Sequence, residues 1–209
     1  VGLEVIIKTL LEPDLIDICT PVLFSSQKTV GYFRKILGVD EFNFNSVRDL
    51  NAINSRKPNV IICYDEEVNF ELGKSTADGG KYALISLEKA TQALVDKHID
   101  VLVTAPINKH NIQSENFKFA GHTEYLGAKF GGQPLMLLCS DTLRVGLVTG
   151  HIPISQIASA ITKEKIVEKI VEKDLEEKVE ENQIQSASVS TSPPSRGFFY
   201  FLRSLFTVH

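Results

Sequence analysis

Apolar residues at Val5, Ile6, Leu10, Leu11 and Leu15 recur at near-helical spacing across Leu3–Ile18, with Pro13 as the expected break. A short apolar strand is predicted over Val22–Phe24. Ser26 then offers a cap for a helix through Val30, Phe33, Ile36 and Leu37, closed by Gly38. Phe42–Phe44 and Val60–Cys63 read as further strands, joined by a polar connection over Ser46–Asn59. Thr76–Asp100 carries the longest helical pattern, its apolar face formed by Tyr82, Ile85, Leu87, Ala90, Ala93, Leu94 and Val95. Gly79-Gly80 is expected to loosen the first turn of that helix.

Val101-Leu102-Val103 is a continuous apolar run of the kind found in strands covered on both faces. Short helices are predicted over Asn108–Ser114 and Thr123–Phe130. Strands are predicted over Leu135–Cys139 and Leu143–Val148, parted by Ser140-Asp141-Thr142, and another helix through Ile157–Ile161. The alternation implies an α/β architecture, a mostly parallel sheet flanked by helices. It does not continue beyond Ile161. Residues 162–182 are rich in Lys and Glu and read as a charged helix with a thin seam at Ile166, Ile170 and Val179. Glu164, Glu168, Glu172, Glu176 and Glu180 form a like-charged row that mildly opposes it. The expected organisation is a partial α/β catalytic-type domain over 1–161, the charged helix over 162–182, a disordered Ser/Pro linker over 183–196 and an apolar tail over 197–209.

Composition narrows the function. The 209 residues are 43% hydrophobic and 23% charged, ordinary for a globular protein. A net charge of -4 leaves no basic surface for a nucleic acid. Cys19, Cys63 and Cys139 are far apart and sit in apolar runs, so they read as buried thiols of a reducing compartment. No leader is recognisable and no apolar run approaches the ~20 residues of a membrane span. No membrane partner and a cytoplasmic setting are therefore expected. Because Val1-Gly2-Leu3-Glu4 runs straight into a helical pattern, the true N-terminus is expected to be missing.

Three polar runs follow apolar segments: Thr104–Lys109, Phe119–Glu124 and Val148–Pro153. They are expected to form one site at the mouth of the sheet, with His122 and His151 converging on one ligand. In Gly121-His122-Thr123 a small residue precedes a helix start, where backbone N–H groups can meet an anion. A helix cap beside an exposed histidine explains the same residues. His151, just past an apolar strand, reads on spacing alone more readily as structural than as a metal ligand, because a catalytic metal needs about three protein ligands. His98, His110 and His209 add no close pairing. Lys109 is a phosphate-holding point charge or a solvated lysine. Asp141 reads as turn chemistry before ligand orientation, and Gly79-Gly80 as a kink. Neither GxGxxG nor GxxxxGK[ST] occurs.

Taken together and in order, TAPINK, FAGHTEYLG and LCSDTLRVGLVTGHIPI are far more specific than any one of them. The set resembles the 4-hydroxythreonine-4-phosphate dehydrogenase family of vitamin B6 biosynthesis. Val1-Gly2-Leu3-Glu4 resembles the end of that family's N-terminal GDPxGIGPE motif, with Leu in place of the usual Pro. The resemblance runs from residue 1 to about Ile170, roughly the first half of such an enzyme. It implies an apparently truncated version of the isocitrate/isopropylmalate dehydrogenase-like fold, and a homodimer with its active site at the interface. The implied reaction is NAD- or NADP-dependent oxidation of 4-phosphooxy-L-threonine, assisted by a divalent metal (Zn, Mg or Co). The resulting 3-oxo acid decarboxylates to 3-amino-2-oxopropyl phosphate, on the way to pyridoxal phosphate. By position, His122 and Thr123 match the substrate-binding pair and His151 the first of three metal histidines.

The departures are specific. The family's later NPHAG-like and YHDQG-like motifs do not occur here, nor do the later lysine, asparagine and arginine that complete substrate binding. The Lys/Glu-rich tail looks foreign to the family, as a frameshift, a gene fragment or a fusion would leave it. Two alternatives stand beside an active enzyme: a truncated non-catalytic relative that keeps phosphate-ligand binding, and a dehydrogenase of another phosphorylated hydroxy acid such as threonate 4-phosphate.

Overall fold

The computed structural model describes residues 2–69, 71–132, 134–140, 142–150 and 152–170. The expected linker, the apolar tail, most of the charged helix, Asp141 and His151 all lie outside the described residues. The chain divides into two compact units, Val1–Gly132 and Gln133–His209.

In the first unit, helices α1 (Gly2–Leu10) and α2 (Leu15–Ile18) fall either side of the expected break near Pro13. They lead to strand β1 (Val22–Ser25), helix α3 (Gln27–Leu37), strand β2 (Asn45–Val47), a 3₁₀ turn at Leu50–Ala52, strand β3 (Asn59–Ile62) and helix α4 (Ala77–Val95). β3 lies between β1 and β2, and both pairings are parallel: Val22 opposes Asn59 and Asn45 opposes the same residue from the other side. Alternation along β3 decides the layers. Val60 faces Ile7 of α1, Val30 of α3 and Phe42, whereas Ile61 and Cys63 face Tyr82 and Ile85 of α4. Both faces are thus covered by helices, as parallel strands require.

Local caps explain the helix boundaries. Ser26 Oγ accepts from the Thr29 N–H at 3.1 Å, and Gly38 closes α3 at φ 64°, a left-handed turn that glycine adopts without strain. Thr76 Oγ1 likewise accepts from the Gly79 N–H at 3.2 Å, while Lys97 at φ 58° follows the end of α4. Asn59, fully buried, ties the entry edge of the sheet together. Its Nδ2 donates to the carbonyls of Pro21 (3.3 Å), Asn54 (2.9 Å) and Lys57 (2.9 Å), and its Oδ1 accepts from Asn45 Nδ2 (3.0 Å) and the Asn54 N–H (2.8 Å).

Four expectations need correction. The strand expected at Phe42–Phe44 begins later, at Asn45, because Phe42 is committed to the core beneath α1 and α3. Val101–Val103 forms no strand. Leu102 packs toward α4 while Val103 is 50% exposed, and no described strand offers the run a ladder. Asn108–Ser114 is a single turn, closed by the Ile112 N–H donating to the Asn108 carbonyl at 3.3 Å, and not a helix. Gly79-Gly80 is no kink; its role is a close approach described below.

Helix α5 (His122–Phe130) completes the first unit. The second unit holds strands β4 (Leu137–Cys139) and β5 (Arg144–Gly146), paired antiparallel, and helix α6 (Ile154–Ala160). The parallel expectation therefore holds for the three-stranded sheet alone. A connection as short as the one between β4 and β5 can only double back, since a parallel crossover needs a dozen or more residues. Residues 163–170 are helical, and Thr162 Oγ1 accepts from the Lys165 N–H at 3.3 Å. No described helix is long and apolar enough to cross a membrane.

Candidate functional site

α4 presents two apolar sides. Tyr82 and Ile85 meet the sheet, and Leu84 and Leu87 meet a second cluster made of Ile112, Phe117 and Tyr125. These last three are 2%, 0% and 2% exposed, and burying each such side chain contributes roughly 1.5–3 kcal/mol. Phe119 meets Phe117 and Tyr125 edge-to-face and Phe117 meets Tyr125 at a tilt, with ring centroids 5.4–5.5 Å apart. This cluster fixes the start of α5, and with it the Gly121-His122-Thr123 run, against α4.

The Thr104–Lys109 run is held from two sides. Asn108 Oδ1 accepts from the backbone N–H groups of His110 (2.9 Å) and Asn111 (3.3 Å), and its Nδ2 donates to Ser75 Oγ at 3.0 Å. Asn111 Nδ2 donates to the Thr76 carbonyl at 2.9 Å. At Gly80 the turn touches α4 itself: a Cβ there would lie 1.8 Å from the Asn111 carbonyl oxygen. On the other side, a Cβ on Gly2 would stand 3.4 Å from Ala105 Cβ, so the run that opens the chain packs on TAPINK. None of Ser75, Thr76, Gly80 or Asn111 was singled out from the sequence as site scaffolding. The Asn two residues after Pro106 and the paired glycines were the available signals.

Two of the three polar runs therefore meet. A Cβ on Gly121 would have Lys109 Cε at 3.9 Å and Glu124 Oε2 at 3.4 Å. Gly121 stands at the N-cap of α5 in extended conformation and gives no side-chain cap to the first-turn N–H groups. His122 is half-buried, and that burial, with the Lys109 charge second, holds its imidazole below the ordinary value. At neutral pH it is a neutral ring able both to donate and to accept a hydrogen bond. Thr123 and Lys109 are exposed, and Lys109 forms no ion pair among the described residues. The ensemble suits a small anion with more than one oxygen. The third run lies in the second unit, and its His151 is outside the described residues.

A family profile described as "Pyridoxal phosphate biosynthetic protein PdxA" matches residues 17–189. The chain belongs to this family. The PdxA match extends past Ile170 through the charged segment and into the expected linker, further than the expectation of a foreign tail allowed. A 4-hydroxythreonine-4-phosphate dehydrogenase of Bacteroides thetaiotaomicron is 45% identical over 168 residues, covering 79% of this chain and 46% of its own length. One from Sulfurihydrogenibium sp. is 36% identical over 147 residues, covering 70% of this chain and 45% of itself. The crystal structure of a 4-hydroxythreonine-4-phosphate dehydrogenase from Burkholderia phymatum superposes with a TM-score of 0.71 at 26% identity, over 81% of this chain and 52% of that one. The chain thus spans about half the length of the PdxA relatives it matches.

Proposed function

We propose that the chain is the substrate-binding first half of a 4-hydroxythreonine-4-phosphate dehydrogenase, with His122 and Thr123 contacting the phosphorylated substrate. The observation that carries this reading is the meeting of Lys109, Gly121 and His122 at the uncapped start of α5, within the motifs that mark the family. In it the His122 imidazole hydrogen-bonds a substrate oxygen without adding charge. The Thr123 hydroxyl and the first-turn N–H groups take further oxygens.

The complete reaction removes hydride and a proton from the substrate's secondary alcohol, the nicotinamide of NAD or NADP taking the hydride. The 3-oxo acid so formed then loses CO₂ and gives 3-amino-2-oxopropyl phosphate. A homodimer with the site at its interface, the isocitrate/isopropylmalate dehydrogenase-like fold and a cytoplasmic setting belong to the same proposal. The expected metal ligand His151 lies outside the described residues. Among the described residues no group of three or more His, Cys, Asp or Glu could hold a divalent metal. His151 alone falls short of the roughly three protein ligands of a catalytic site, so no step is routed through the metal.

A second reading is that the chain binds the phosphorylated ligand at His122 and Thr123 without turning it over. Purified chain supplied with 4-phosphooxy-L-threonine, NAD and a divalent metal should show feeble turnover or none. Robust turnover would reject the binding-only reading and the need for the absent histidine motifs. In calorimetry, His122→Ala should weaken binding of the substrate while His98→Ala leaves it unchanged; equal effects would reject the site. Threonate 4-phosphate, which lacks the amino group, tests the other substrate class. Preference for it would move the proposal to that hydroxy acid, in keeping with a relative from Fusobacterium nucleatum, 29% identical over 80% of this chain, that bears a provisional D-threonate 4-phosphate dehydrogenase name.

A further inference from the structure

We propose that Lys109 is a further substrate-binding residue, supplying the fixed positive charge that a phosphate monoester meets beside Gly121 while His122 and Thr123 supply hydrogen bonds. The inference rests on the reading that the His122–Thr123 pair takes the phosphorylated substrate, and it extends that reading to a residue on a separate segment.

Three observations carry it. First, the loop that delivers Lys109 is anchored on either side of it, through Asn108 to Ser75 Oγ at 3.0 Å and through Asn111 to the Thr76 carbonyl at 2.9 Å. A lysine that served only solubility would need no such placement. Second, the Lys109 stem passes over Gly121, with Cε 3.9 Å from where a Cβ would be. The stem thus lies in van der Waals reach of Gly121, and the ammonium and the first turn of α5 address the same volume. Third, among the described residues neither charge near that volume is taken up in an ion pair. The described ion pairs are Lys8–Glu4, Arg48–Asp65 and Lys74–Glu71, none of them here. Glu124 Oε2 also reaches Gly121, at 3.4 Å from the same Cβ position, yet forms no ion pair with Lys109.

Glu124 decides why a cation is required. A phosphate monoester approaching the start of α5 meets this carboxylate, and the resulting repulsion opposes the attraction of the helix terminus. Lys109 offsets the carboxylate and leaves the N–H groups and the neutral ring to act. The Lys109 charge also contributes to holding His122 below its ordinary value, which places the ammonium within electrostatic reach of the ring.

The test uses the full chain with inorganic phosphate and with 4-phosphooxy-L-threonine as probes, titrated calorimetrically at low and at physiological salt. Lys109→Gln should weaken both by about ten-fold, the worth of one charge-assisted hydrogen bond, and flatten the salt dependence. Lys109→Arg should retain most of the affinity, and Glu124→Gln should tighten phosphate. By NMR, Lys109→Gln should raise the His122 titration midpoint. If Lys109→Gln binds like the parent with the same salt slope while His122→Ala weakens binding, Lys109 is not a ligand and the site reading survives. If the parent chain binds neither probe, or His122→Ala changes nothing, the site reading falls and the Lys109 assignment with it.

Discussion

Gly80→Ala is the sharpest test of how the site is built, because local and tertiary physics give it opposite signs. Within a helix, replacing glycine by alanine stabilises by about 0.5–1 kcal/mol through backbone entropy. At Gly80 the new Cβ would fall 1.8 Å from the Asn111 carbonyl oxygen, 2.4 Å from its carbon and 3.0 Å from the Ile112 nitrogen. All three are backbone atoms, so no rotamer change relieves the overlap and the turn at 108–112 must move. Moving it strains or breaks the Asn111–Thr76 and Asn108–Ser75 hydrogen bonds, each worth about 1 kcal/mol. It also loosens Ile112, 2% exposed, whose full exposure would cost about 2 kcal/mol more. Partial relaxation leaves a net destabilisation of about 2–3 kcal/mol after the helical gain. Gly31 in α3 is the control, since a Cβ there meets nothing within 4 Å and Gly31→Ala should be neutral or stabilising. Urea denaturation of the full chain measures both. Equal stabilisation by the two substitutions would refute the packing of TAPINK onto α4. Because the same turn carries Lys109, Gly80→Ala should also weaken phosphate binding.

Asn59→Ala removes the hub of five hydrogen bonds at the entry edge of the sheet and leaves Asn45, Asn54 and three carbonyls short of partners. A loss of about 3 kcal/mol is expected in urea melts, and a change under about 1 kcal/mol would show that water replaces the side chain. Tyr125→Phe should change stability by less than about 1 kcal/mol, because among the described residues the buried hydroxyl makes no well-formed hydrogen bond and only Thr91 stands near it; a clear drop in Tm would reveal a bond to Thr91. His122 gives a pH signature. Its folded value lies below the ordinary 6.5, so beneath 6.5 the unfolded chain takes up a proton that the folded ring refuses. Stability is therefore full above that pH and falls as pH drops toward the folded value. His122→Gln should remove this part of the acid loss, and an identical pH profile for parent and variant would contradict the half-buried ring.

The amino-acid sequence alone settled what near neighbours settle. Ser26 caps its helix and Gly38 ends it because caps and left-handed turns depend on atoms a few residues apart. The paired motifs were enough to show kinship with PdxA. Tertiary structure decided what distant residues do to each other. Val101–Val103 has the composition of a strand, but a strand exists only where another offers its N–H and C=O groups, and Leu102 packs toward α4 instead. Gly80 is required by a carbonyl far along the chain, and Lys109 acquires meaning only because the fold brings its stem beside Gly121 and His122. Caps and periodicities are written in short stretches, whereas steric fit and charge proximity arise from close approaches that no short stretch encodes.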